Sequence, residues 1–257
     1  MKKTIYIYAL IVLAGSMVSC KKYLDINKDP DRILEDQVPI QLLLTNVTTN
    51  IGFTGGSDLF RYGALLTQQF SGQTTGGETQ TQQYEKYLIQ SADVNNLFNS
   101  IYAQTLNDIE VIIRRATADG SPHYSGVAKI LKAYTYQLAV DAWGDIPFSE
   151  AQQTTANLFP HYDDDAEIYP KLIALLDEGI QEVSAATSTI SPGSNATIYS
   201  GNFATRKTNW IKFANTLKLR LYIHYSKIDK PFLVNQITAL VNSGGPFMEG
   251  NEDNFEM

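Results

Sequence analysis

Few side chains in this chain are grouped as chemistry requires, and the clearest case is a single thiol. Cys20 is the only cysteine among 257 residues. Lys2 and Lys3 precede an apolar run, Ile5 to Ala14, and Ser16-Met17-Val18-Ser19 lead from that run into Cys20. A basic start, about ten apolar residues and small residues before a cleavage point is the order of an export signal. The run falls short of the roughly 20 residues that a membrane-spanning helix needs. The thiol is a nucleophile that accepts a diacylglycerol, and acylation of the new N-terminus supplies the further chains that stable anchoring requires. A signal peptide over 1–19 and lipid attachment at Cys20 are therefore expected. With that thiol consumed, no disulfide and no thiolate metal site is left.

A second group suits binding rather than catalysis. The stretch from Gln73 to Gln90 is polar, bears Gly76 and Gly77, and carries Tyr84 and Tyr87. Gln80, Gln82 and Gln83 lie within it, and Asn95 and Asn96 follow shortly after. Aromatic faces for the apolar side of a sugar ring and amides for its hydroxyls are the mixture a neutral glycan needs. Tyr84, Tyr87, Gln83, Asn95 and Asn96 are the candidate ligand contacts. Asp141 and Asp145, four residues apart, mimic a carboxylate pair of the glycosidase kind. No histidine or second catalytic cluster accompanies them, so turn or cap chemistry is the better reading. His123, His161 and His224 are scattered without ligand spacing, so neither a metal nor a cofactor is expected. No catalytic residue is assigned.

Composition narrows the classes. Lys and Arg number 20 against 27 Asp and Glu, a net charge of −7, and loss of Lys2 and Lys3 makes the remainder more acidic. Such a surface disfavours nucleic acid and electrostatic adhesion to anionic lipid. Membrane attachment must then come from the lipid on Cys20.

The elements that position these groups read as helices. Apolar residues recur at a spacing of three to four in Leu42, Leu43, Val47 and Ile51, and again in Leu59, Leu65, Leu66 and Phe70. The segment 73–83 reads as a long exposed loop. The period returns over about 93–118 and 122–142, then 164–186 and 206–228, with a short final helix opened by Pro231. Asp164 and Glu167 fit a capping box before the third of these. Gly144 and Pro147 close the second, where Trp143 and Phe148 are placed to pack across the turn. The stretch 184–208 reads as loop. In the last long helix Asn215 is expected to bond a neighbouring helix or loop, and Lys212, Lys218 and Arg220 to be solvated or paired with acids. Strand signals are scarce. The fold class is all-α: tetratricopeptide-like helix–turn–helix pairs joined by long polar loops. Glu249 to Met257 is polar and ends without a helix, so 20–257 is expected to be the N-terminal part of a longer helical domain.

Several segments together resemble the SusD/RagB family of outer-membrane nutrient-binding lipoproteins, in its SusD-like branch. They are CKKYLDINKDP from Cys20, LLTQQFSG from Leu65, AKILKAYTYQLAVDAWGDIPFSEA from Ala128, IYPKLIALLD from Ile168, WIKFANTLKLRL from Trp210 and PFMEGNEDNF from Pro246. The resemblance implies a SusD-like helical fold and a cell-surface lipoprotein facing the exterior. It further implies that an oligosaccharide or other nutrient is bound and delivered to a SusC-like TonB-dependent transporter, without catalysis. Family members are about twice this length. The alternatives are a lipid-anchored enzyme acting on polysaccharide, which product analysis would reveal, and a helical scaffold or adhesin with no small ligand.

Overall fold

A computed structural model describes residues 37–72 and 76–256; the expected signal peptide and Cys20 lie outside them. From Pro39 onward these residues form helices joined by loops, and the strand content among them is one isolated antiparallel bridge, Ile146 to Asp163. Helix α1 is Ile40–Thr54 and runs through a π turn, Gly55–Leu59, into α2, Phe60–Leu66. A short α3 is Gln80–Glu85. A second composite helix follows: a 3₁₀ turn at Ser91–Val94, α4 at Asn95–Asn99, a π turn at Ser100–Leu106, and α5 at Asn107–Ala118. Four more complete the order: α6 Pro122–Trp143, α7 Asp165–Val183, α8 Phe203–Ile223 and α9 Lys230–Asn242.

Each long helix packs mainly on its neighbours in the chain, α5 on α6, α6 on α7, α7 on α8, with α1 set against α5. The expected pairs, α5 with α6 and α7 with α8, are thus present. Their shared core contains Ile109 and Ile112 of one pair, and Leu172, Leu176, Trp210 and Leu217 of the other. The α6–α7 crossing is close because two glycines face each other there. A Cβ on Gly126 would stand 2.7 Å from the Val183 backbone nitrogen and 2.8 Å from the Gly179 carbonyl oxygen.

Four local expectations are corrected. The stripe of α1 is Ile40, Leu44, Val47 and Ile51, while Leu42 is 60% exposed. The π turn after α1 rotates the following face, and Phe70 falls beyond α2 and is exposed. The segment read as loop over 73–83 contains the start of α3, whose cap is a reciprocal box between Thr79 and Gln82. The 184–208 stretch is a loop only as far as Asn202, which caps α8 through the Ala204 N–H at 2.9 Å. That loop is anchored on α1: the Thr45 hydroxyl donates to the Asn195 carbonyl at 2.6 Å, and the Thr197 hydroxyl to Thr48 at 2.7 Å.

The turn after α6 is organised by a residue whose role the sequence concealed. Asp164 caps α7, through the Ala166 N–H at 2.9 Å. Asp163 instead turns inward and accepts the backbone N–H of Phe148 at 3.0 Å and of Ser149 at 2.9 Å. Burial pushes its carboxyl up, but the Ser149 hydroxyl, these two amides and the His161 imidazole outweigh that and hold it at about 2, against an ordinary 3.8. A depressed carboxyl contributes stability that is present above its unfolded value and lost as pH falls through its folded value. Acid unfolding should therefore steepen between pH of about 4 and about 2. Urea midpoints measured across that range should fall less in Asp163→Asn than in the parent chain; parallel curves would remove Asp163 from this role.

Candidate ligand-binding site

A cavity of about 650 Å³ opens where α2, the segment leading into α4, and the C-terminal end of α6 converge. Helix α2 contributes Tyr62, Gly63 and Leu66 on one face, a consequence of their spacing along the helix. Ile89, Val94 and Leu97 line the second wall, with Gln90 and Ser91 at its edge. Leu138, Ala142 and Trp143 of α6 form the third, and Arg220 reaches in from α8 beside Asp141. Volume and lining match those of small-molecule sites: largely apolar walls with a few convergent polar groups.

The walls are held by aromatic packing. Trp143 and Phe148 of the WGDIPF turn each pair with other rings. The Trp143 ring lies 5.5 Å from Phe98, which stacks on Tyr102 at 4.3 Å, while Phe148 meets Tyr136 at 4.7 Å. Tyr102 and Tyr136 close the row at 6.1 Å, and the Tyr102 hydroxyl donates to the Pro147 carbonyl at 2.8 Å. The two rings of the motif are thus joined through a row of aromatics between α4, the following π turn and α6.

The structure divides the five candidate contacts. Tyr84 is fully buried, its ring 5.3 Å from that of Tyr62, with the Arg61 guanidinium over both. Burial raises its hydroxyl pKa, with Tyr62 and Asp93 adding to the shift. It therefore supports the loop and offers no face for a sugar. Tyr87 is 62% exposed, sits at a positive φ of 59° and donates its hydroxyl to the Leu66 carbonyl at 3.1 Å. Gln83, Asn95 and Asn96 are exposed, the last two on the first turn of α4 next to the cavity-lining Val94. Gln80 and Gln82 serve the fold: Gln80 donates to the Asp93 carboxylate, and Gln82 completes the α3 cap.

Two features escaped the sequence reading. Asp141, considered only as half of a carboxylate pair, is a hub. It accepts the Tyr169 hydroxyl at 2.8 Å and lies 3.6 Å from His224 and 3.7 Å from Arg220. Asp145 is engaged separately, accepting the Asp165 N–H at 3.1 Å. Arg220 belongs to the cavity, and no local signal reveals this because its neighbours come from α6. Lys212 and Lys218 are paired as expected, with Asp253 at 2.8 Å and Asp177 at 2.5 Å, and Asn215 donates to the Pro246 carbonyl at 3.0 Å. Asp145, Asp164 and Asp165 bring exposed carboxylate oxygens within 4.8 Å of one another, and their place at the α7 N-terminus accounts for the grouping. The histidines have separate partners: His123 the Ser191 hydroxyl at 2.7 Å, His161 the Glu150 carboxylate at 3.0 Å, and His224 Asp141. Chemically, the arrangement is suited to holding a ligand.

Among curated proteins no sequence match was found. Among solved structures it resembles a chitin-binding protein at 25% identity and a TM-score of 0.68, covering 84% of this chain and 45% of that one. It also resembles a SusD/RagB family protein of Bacteroides thetaiotaomicron at 24% identity, TM-score 0.70, covering 85% and 44%. A SusD homolog of Bacteroides fragilis aligns at 24% identity, TM-score 0.64, covering 86% and 44%. The chain thus spans less than half the length of these proteins. Among the described residues no helix is long and apolar enough to cross a membrane. The profile of the SusD-like family, described as starch-binding associating with outer membrane, matches residues 32–257, so the chain belongs to that family.

Proposed function

We propose that this protein is a lipoprotein of the outer membrane, facing the cell exterior, that captures a glycan or other small nutrient. It would pass the ligand, unaltered, to a SusC-like TonB-dependent transporter. The observation that carries this reading is the family match over residues 32–257. The cavity supports a small ligand, and the exposed tyrosine and amides beside it, with a solved relative named for chitin binding, support the glycan. Cys20, in its signal context, supplies the anchor. A tether at the mouth of a transporter makes delivery effectively intramolecular, which raises the local ligand concentration without any new contact.

Cys20→Ser should move the protein from the membrane fraction to the soluble one, and mass spectrometry of the parent should find acyl chains on Cys20. Affinity isolation of the native protein should bring down a large outer-membrane β-barrel. An unmodified membrane-bound chain beginning at Cys20, or isolation without any barrel partner, would contradict the proposal.

A further inference from the structure

We propose that the cavity between α2 and the end of α6 admits an amphipathic anion, an aliphatic or aromatic body that ends in a carboxylate. The inference rests on the reading of this cavity as a ligand site and narrows what enters it. The walls are mainly aliphatic: Leu59, Leu66, Ile89, Val94 and Leu138, with the Trp143 ring beside them. A sugar ring placed there would leave its hydroxyls against carbon, and unpaired polar groups are costly to bury. A hydrocarbon or aromatic body loses nothing on entering.

The mouth sets the charge. Asp141 and Arg220 are the charged residues on the lining. The Asp141 carboxylate is already engaged by the Tyr169 hydroxyl at 2.8 Å, with His224 at 3.6 Å and Arg220 at 3.7 Å. An incoming ammonium group would compete with that hydroxyl. Arg220, by contrast, lies beyond hydrogen-bond distance from Asp141 at 3.7 Å, and its side chain is 52% exposed. Its planar fork can present two parallel N–H groups to a carboxylate. The geometry thus accepts an anion at the rim and an apolar body below it.

Gly63 provides a way to close the cavity without disturbing the fold. It lines the cavity, it is helical, and a Cβ there meets nothing within 4 Å. Sodium decanoate below its micellar concentration, titrated calorimetrically into the purified full chain, should bind saturably. Arg220→Gln should weaken it about fivefold, as expected of a half-exposed ion contact. Asp141→Asn should tighten it, because removing a like charge favours the anion. Gly63→Phe should abolish it with an unchanged circular dichroism spectrum. Equal binding of decyltrimethylammonium, or undiminished binding in Gly63→Phe, overturns the inference. Maltohexaose titrated into the same preparations separates the two readings. Sugar binding without decanoate binding overturns this inference and leaves the proposed function standing. Decanoate binding without maltohexaose binding supports the inference and removes that sugar from the candidates for the proposed function.

Discussion

Trp210→Ala should lower stability by about 3–5 kcal/mol, the cost of truncating a large buried aromatic and leaving its space empty. Trp210 is fully buried, with Tyr199 edge-on at 5.1 Å and Phe255 at 6.4 Å. The loss reaches beyond one side chain. Phe255 also stacks on Phe213 at 4.0 Å, Asp253 is held by Lys212, and Pro246 by Asn215. These contacts fasten the segment from Pro246 to Phe255 onto α8. The two motifs WIKFANTLKLRL and PFMEGNEDNF therefore act as one packing unit. Chemical denaturation should show the reduced stability, and limited proteolysis should cut first within 246–256. A variant that keeps its midpoint and its protection there would mean that this segment is not packed on Trp210.

Gly126→Leu should cost about 3 kcal/mol, toward the upper end for overpacking, because the atoms met are backbone and cannot swing aside. Even the Cβ would meet Val183 N and Gly179 O at less than 3.0 Å. The melting temperature should fall by roughly 10 °C for a domain of this size. Gly63→Ala is the control. Its Cβ meets nothing within 4 Å, and Ala is the better helix former by about 1 kcal/mol. That variant should melt at or above the parent. Equal melting of the Gly126 and Gly63 variants would mean that α6 and α7 do not cross so closely.

The helices were legible because a period of three to four needs only local information. Asp165–Val183 follows its stripe closely and is opened by a capping Asp, while Pro122–Trp143, opened by a Pro, is buried on nearly every face. What periodicity misses is rotation. The π turns at Gly55–Leu59 and Ser100–Leu106 each turn the face of the helix that follows, and nothing in the residue types announces them. Contacts between a polar loop and a distant helix are equally hidden from local spacing. Thr45, Thr48, Asn195 and Thr197 look solvated in sequence, yet they bond each other across about 150 residues. The site was only partly readable. Tyr87 is exposed as expected, whereas Tyr84 went inward because Tyr62 and Arg61 supply it with an aromatic and cationic bed. Asp163 and Arg220 gained their roles from tertiary neighbours alone.

The proposed function is binding of a nutrient without transforming it. Calorimetric titration of the full chain with a panel of soluble glycans, with chromatography of the same mixtures afterwards, tests it most directly. Saturable binding to at least one glycan and its recovery intact are expected. Release of shorter sugars, abolished by Asp141→Asn or Asp145→Asn, would contradict the proposed function and make the protein an enzyme.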